Sequence, residues 1–458
     1  MSRFPGPRSE ELIRELSRYV VAEPYPFVLD LARCRGMWLE TVDGQRIFDW
    51  AGYYGSRLLG HNHPRLQEPE YTARLVRAAN HKVANPDFLT PECLAYYRLL
   101  HEIAPRCIRN DRLEVYVVNS GAEAVENMMK YMIHLHAEKL RARGERCEAR
   151  RFVYFESAFH GRTVFALNVT QLKHDPVVTA GFQGFVPGNI QVPFPHFDAS
   201  RPEADNLAEC DASLAVIEES LARHGNEVVG IVVEPIQGAG GHRSSLPRFF
   251  QGLSALAHRF DVPLGFDEVQ TAGGQTGTMF AIDQLDLPYP PAAVAVAKKF
   301  GNGVIYMHHP MADHGVLDST WGGSLADMVR FVEEMRVVRD ERLIEQVPAK
   351  AEALTRGLGE LERMHGALLF NVRGMGLYQG FSLRSPADKE RLLEVALEQE
   401  GLLLLGAGVQ SVRLRPPLDV TVADVDRLIE LLGRCLEALA VTAPSGTAAS
   451  RSAPPGPR

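Results

Sequence analysis

Two short apolar runs end in groups that could do chemistry. Leu264-Gly265-Phe266 leads into Asp267, and about thirty residues later Val294-Ala295-Val296-Ala297 leads into Lys298 and Lys299. An amine can hold an aldehyde cofactor as a Schiff base, and a carboxylate can keep a ring nitrogen protonated. Pyridoxal phosphate requires both. The ring can then accept electrons from a substrate carbon, because an ionised carboxylate favours the protonated nitrogen. Just beyond Asp267, Gln270 could hydrogen-bond the ring's phenolic oxygen while Val269 packs on its face. The competing reading is a metal site at Asp267-Glu268, but no histidine or further carboxylate follows closely enough to complete it. Alternation along a strand sends Lys298 and Lys299 to opposite sides, so only one can meet the cofactor.

Other segments could supply the rest of such a site. Asn119-Ser120-Gly121-Ala122-Glu123-Ala124 follows the strand-like Val115–Val118 and opens a helix. A small turn there lets backbone N–H groups approach a phosphate, helped by the helix dipole. Ser120 and Glu123 equally fit an ordinary capping box. In Ala158-Phe159-His160-Gly161-Arg162-Thr163, Phe159 could stack on a flat ring and Arg162 could fork onto a carboxylate. A core phenylalanine and a surface arginine are the plainer alternative.

Glu234 opens a glycine-rich loop, Glu234–Gly241, at the end of Val228–Val233. It reads as a structural hydrogen-bonding carboxylate or as a catalytic one. Ser319-Thr320-Trp321-Gly322-Gly323 offers a hydroxyl to a phosphate. Val412–Leu418 places Arg413 and Arg415 on one side of a strand before a Pro-Pro stop. One could bind a substrate carboxylate, and the other would make a surface or interdomain ion pair.

The elements that position these groups are α/β in pattern. Val115–Val118, Arg151–Phe155, Val228–Val233 and Pro263–Phe266 are near-continuous apolar strands alternating with helices, which predicts a doubly wound, mainly parallel sheet. A hairpin is predicted over Gly36–Asp49 with Asp43-Gly44 at its turn, and an amphipathic helix over Glu10–Val21. One long helical stretch is predicted over Leu325–Met364, followed by strands at Leu368–Val372 and Leu377–Leu383.

The expected domains are an N-terminal segment, 1–65, contributing to a small domain; a large domain, 66–325; a C-terminal part of the small domain, 326–440; and a Pro/Ser/Ala/Gly-rich disordered tail, 441–458. With 458 residues, 45% hydrophobic, the chain can bury a large core. Its net charge of −8 implies no polyanion-binding surface. The N-terminus lacks an apolar signal core, and no apolar run reaches about eighteen residues. A soluble, cytoplasmic protein without nucleic-acid or membrane partners is expected. The six scattered cysteines read as reduced thiols, with no metal site.

Taken in order, these motifs resemble the class III aminotransferases, a fold-type-I family dependent on pyridoxal phosphate. The likeness runs from about Phe27 to Leu439 and is strongest over Ser120–Lys130, Phe159–Arg162, Glu234–Gly241, Asp267–Gly277, Ser319–Arg330 and Arg413–Leu418. Thr320–Gly323 and Arg413–Pro417 look particularly like the lysine-using members.

The resemblance implies that Lys298 and Asp267 are catalytic, with Lys298 carrying the cofactor and Asp267 holding its pyridine nitrogen. It implies cofactor contacts from Ser120, Gly121, Ala122, Phe159, Glu234, Val269 and Gln270. Thr320 would reach the phosphate of a neighbouring subunit, making a homodimer with shared sites. Arg162 would bind a far carboxylate and Arg413 an α-carboxylate. The implied reaction moves a terminal amine, best matched by the ε-amine of L-lysine, to 2-oxoglutarate. Ornithine, diamine, γ-aminobutyrate or natural-product substrates are the alternative. One departure stands out. Many relatives carry a glutamate where this chain has Ala239, and that glutamate pairs with the arginine matching Arg413.

Overall fold

The near-continuous apolar runs assemble into one seven-stranded sheet in the computed structural model, which describes residues 3–147, 149–182, 188–311 and 314–442. In chain order its strands are β1 (Glu114–Val118), β2 (Arg151–Phe155), β3 (Ile190–Val192), β4 (Val228–Val233), β5 (Leu264–Asp267), β6 (Ala293–Val296) and β7 (Gly303–Met307). Across the sheet the order is β1-β7-β6-β5-β4-β2-β3. β7 is antiparallel to both neighbours and the other pairs are parallel. Every residue of β4, β5, β6 and β7 is buried, as befits strands covered on both faces. The expected α/β architecture is present.

Register brings the chemical groups together. Val233 pairs with Phe266, so Glu234 and Asp267 leave the sheet side by side. Asp267 pairs with Ala295, three residues before Lys298. These loops all leave the carboxyl edge of the parallel strands, where ligands of open α/β sheets bind.

The helix Gly121–Arg143 packs across β4 to β7. It can lie close because two strand positions have no side chain. A Cβ on Gly265 would stand 2.8 Å from Met128 Sδ, and one on Gly230 would stand 2.8 Å from Met132 Sδ. The glycines therefore set the height of a helix whose first turn faces the site.

Both ends of the chain contribute to two smaller sheets. Trp38–Glu40 and Arg46–Asp49 form the expected hairpin, and Leu402–Leu403 adds to it in parallel. Leu369–Met375, Tyr378–Leu383, Ser411–Arg413 and Leu405–Ala407 form an antiparallel sheet that carries Arg413.

Several elements differ from the sequence expectation. The first helix spans Pro7–Leu16 rather than Glu10–Val21. Proline starts it at a position where a missing N–H costs nothing; beyond it Tyr19, Val20 and Val21 are exposed and bury no face. The long helix is two, Leu325–Asp340 and Val347–Met364. Pro348 begins the second, Arg342 turns with φ +51° between them, and a proline ring cannot sit inside a continuous helix. The last helix runs to Thr442, two residues into the expected tail of 441–458, and the rest of that tail, 443–458, lies outside the described residues. Among the described residues no helix is long and apolar enough to cross a membrane.

The close approach under the helix can be tested. Gly265→Val is expected to lower stability by about 1–3 kcal/mol through overpacking against Met128. Gly265→Ala is expected to cost less, because the thioether can swing aside. Denaturant unfolding of both variants measures the difference.

Candidate active site

The carboxyl-edge loops enclose a cavity of about 480 Å³. Gly121, Ala122, Phe159, Arg162, Glu234, Asp267, Val269, Gln270, Lys298 and Arg413 all line it, as does Ala239. Ser120 and Thr320 do not. The Ser120 hydroxyl caps its helix by accepting from Glu123 N at 3.2 Å, while the Glu123 carboxylate accepts from Asn119 N at 2.7 Å. The capping reading of this turn is therefore met. It leaves Gly121 and Ala122 as the residues of the turn that face the cavity. Thr320 is exposed on the segment that follows Ser319.

Lys298 does not continue β6. The strand ends at Val296, and Lys298 sits in the left-handed region at φ +54° in a short turn over Lys298–Phe300. That region is costly for a residue with a Cβ and is found where surrounding structure enforces it. The two lysines still part company, through this turn rather than through strand alternation. Lys298 faces the cavity. Lys299 is buried on the other side, donating to Gln270 O at 2.7 Å, Gly55 O at 3.1 Å and the Tyr378 hydroxyl at 2.8 Å.

Asp267 accepts from Val269 N through Oδ1 at 2.9 Å and is bonded to His160 Nδ1 through Oδ2 at 2.8 Å. Burial alone would lower the His160 pKa, but the hydrogen bond and charge of Asp267 outweigh it and hold His160 above its ordinary value. Glu234 accepts from Phe159 N at 2.9 Å, which locks the aromatic loop to the end of β4. Burial pushes its carboxyl up to about 7, with His160 opposing and Asp267 assisting. Burial, and next the charge of Arg413, pull the Lys298 amine down to about 8 against the attraction of Asp267.

Glu268 points elsewhere. It accepts from Ala281 N, Ile282 N and the Thr271 hydroxyl, so it is a buried structural carboxylate rather than half of a metal site.

The arginines divide as a pocket pair and a buried one. Arg162 is exposed at the cavity and Arg413 is buried within it; neither makes an ion pair among the described residues. Arg413 Nε is buried without a partner. Arg415, expected at the surface or in an interdomain ion pair, is instead 1% exposed and pairs with neutral acceptors. It follows the end of the strand Ser411–Arg413, where the chain turns inward beneath Trp50.

These residues fit pyridoxal phosphate. An amine that loses its charge near pH 8, a carboxylate fixed by two donors, backbone N–H groups at a helix start and an unpaired buried guanidinium meet in one cavity. The cradle is tight: a Cβ on Gly121 would stand 2.9 Å from Val269 Cγ1. Sequence reasoning missed His160 and Tyr54. His160 lay within a recognised motif, but its pairing with Asp267 spans 107 positions. Tyr54 lies in Gly52–Gly55, where all four residues have positive φ; the flanking glycines were its one visible signal.

The aminotransferase class-III family model matches residues 19–436. The L-lysine-epsilon aminotransferase of Mycobacterium tuberculosis is 34% identical over 439 residues, covering 92% of this chain and 95% of that one. The chain is a class III aminotransferase. The solved lysine aminotransferase from M. tuberculosis superposes with a TM-score of 0.88 at 31% identity, covering 94% of this chain and 99% of that chain. The 4-aminobutyrate aminotransferase of Schizosaccharomyces pombe is 28% identical over 435 residues, 91% of this chain and 90% of that one. This class III aminotransferase thus has the fold-type-I architecture and depends on pyridoxal phosphate.

Capture of the cofactor by the apoenzyme needs a neutral amine. Its rate is expected to rise with pH through about 8 and then level off, because Lys298 is held below the ordinary lysine value. Stopped-flow absorbance measures the profile, and a midpoint near 10.5, the ordinary lysine value, would show that the amine is not depressed.

Proposed function

We propose that this aminotransferase moves a terminal amino group, with the ε-amine of L-lysine as donor and 2-oxoglutarate as acceptor, giving an aldehyde and glutamate. The observation that carries this reading is the pair of unpaired guanidiniums, Arg162 and Arg413, facing one cavity with one amine. An ω-amine donor places its reacting nitrogen at Lys298 and its distant carboxylate at Arg162. A dicarboxylate acceptor uses both arginines, as forked donors suit carboxylates. The lysine-using relatives support the choice of donor.

The bound cofactor supplies an electron sink for the substrate carbon. Asp267, oriented by His160 and Val269 N, would hold its pyridine nitrogen, and Gln270 its phenolic oxygen. Phe159 and Val269 would pack on the ring, with Glu234 fixing the Phe159 loop. Gly121 and Ala122 N–H groups, at the positive end of their helix, would hold the phosphate. Thr320, exposed and outside its own cavity, would complete the phosphate site of a second copy in a homodimer. Neighbouring exposed apolar groups, Phe88, Leu89 and Trp321, suit such a contact. Lys298 Nζ, beside the reacting centre, would hold and move the proton of the carbon bearing the donor amine. An amine poised near pH 8 can do both.

A second reading within the family rests on Ala239. No carboxylate stands there to pair with Arg413, so Arg413 stays available to a carboxylate beside the reacting amine. An α-amino acid donor fits that arrangement, while ornithine, diamine, γ-aminobutyrate or natural-product substrates stay alternatives at the same site.

A half-reaction screen decides between them. The loaded enzyme is expected to lose its yellow absorbance with L-lysine, and to form glutamate when 2-oxoglutarate is added. Failure to oxidise lysine at its ε-amine would sink the lysine reading. Lys298→Ala is expected to abolish turnover; full activity would show the lysine misassigned. Ala239→Glu is expected to slow the glutamate half-reaction several-fold more than the lysine one, by competing for Arg413.

A further inference from the structure

Behind Gln270 stands a buried cation with no carboxylate partner. Arg415 donates to Gln270 Oε1 twice, from Nε at 3.1 Å and from Nη2 at 2.9 Å. Nη1 donates to Leu414 O at 2.8 Å, and Nη2 also lies 2.9 Å from His242 Nδ1. The guanidinium stacks 4.3 Å from the centre of the Tyr378 ring. Buried arginines are normally paired with carboxylates, because an uncompensated buried charge is expensive. Among the described residues Arg415 has no ion pair, and its acceptors are neutral. A group retained at such a cost needs a reason.

The amide of Gln270 supplies one. Its oxygen is taken by two charge-assisted donors, and its nitrogen gives one hydrogen to Tyr54 O at 3.1 Å. A side-chain amide carries two N–H donors, so one remains. Turning the amide over would set its NH₂ against the guanidinium, donor against donor. The backbone is pinned too, by Lys299 Nζ on Gln270 O. The side chain has little room to move: a Cβ on Gly238 would stand 2.0 Å from Gln270 Oε1.

His242 completes the clamp. Burial, and then the charges of Arg415, Arg373 and Arg413, hold its imidazole well below the ordinary value, so it is neutral and Nδ1 can accept.

We propose that Arg415 is a positioning residue for the cofactor's phenolic oxygen: it fixes the Gln270 amide so that N–H, and not C=O, faces the cavity. This rests on the assignment of Gln270 to that oxygen. It also gives the lysine pair a division of labour. Lys298 reacts, and Lys299 braces the backbone of the residue that hydrogen-bonds the ring.

The test is a spectroscopic pH titration of the resting, cofactor-loaded enzyme, without substrate. An N–H donated to the phenolic oxygen favours its anionic, deprotonated form, so losing it raises the pH at which the absorbance changes. Gln270→Leu is expected to raise that midpoint by about one pH unit, the scale of one hydrogen bond to a charged group. Arg415→Met is expected to raise it comparably, and the double variant no further than either alone. Arg415→Lys, which keeps a charge but loses the fork, is expected to give a smaller rise and serves if the methionine variant does not fold. A midpoint moved by Gln270→Leu but by neither Arg415 variant would overturn the positioning role while leaving Gln270 in place. A midpoint that Gln270→Leu leaves untouched would remove the assignment of Gln270 itself, and the proposal with it.

Discussion

The site depends on the hydrogen bond between His160 and Asp267. Asp267 ends a fully buried strand, where an unsupported carboxylate would be costly to hold. His160 and the Val269 N–H supply the support. Both partners are almost completely shielded from water, so the pair acts as one fixed dipole rather than two mobile charges. Everything else in the cavity is arranged around it. Lys298 is attracted by Asp267 and Glu234 but desolvated by the same surroundings, and the balance leaves an amine that changes charge near pH 8. Glu234 sits beside the pair because strand register puts it there.

In and behind the cavity lies a group of buried basic side chains. Arg413, Arg415 and Lys299 are buried together, and burial depresses all three. Lys299 spends its donors on Gln270 O, Gly55 O and the Tyr378 hydroxyl. The arginines keep their charge at a cost, and the two costs serve different ends. Arg413 faces the cavity, where an anionic substrate, on the proposed reading, would remove the penalty on binding. Arg415 is turned into the protein, where its donors are spent on Gln270 and His242.

How much of this was legible in the sequence depended on whether the signal was local. Asp267, Lys298 and the Gly121 turn announce themselves because each ends or begins an element, and strand ends are readable from apolar runs. The sheet followed for the same reason. What is set by tertiary packing was not readable. His160 finds Asp267 across the sheet, and nothing near either residue marks the pairing. Arg415 sits two positions from Arg413, and alternation put both on one side. The chain leaves the strand between them, so one arginine opens to the cavity and the other is enclosed. The break between Leu325–Asp340 and Val347–Met364 was local, signalled by Pro348, but the helical pattern on both sides obscured it.

On the proposed reading, substrate choice would turn on what Ala239 leaves undone. Ala239 and Arg413 line the same cavity, and the loop bearing Ala239 is held near the Arg413 sheet by Gly408 N donating to Ala239 O at 2.9 Å. A carboxylate side chain on that loop would have an unpaired guanidinium within its cavity. Without one, Arg413 has only weak neighbours: Glu234 near but not bonded, and the phenols of Tyr54 and Tyr25. A phenol stabilises a guanidinium far less than a carboxylate does, and it yields to an incoming carboxylate without leaving a charge unpaired. The energetic barrier to seating a carboxylate beside the reacting amine is therefore low in this aminotransferase. On the proposed ω-amine reading, selectivity would come from the far end, where exposed Arg162 would hold the distant carboxylate, rather than from occupying Arg413.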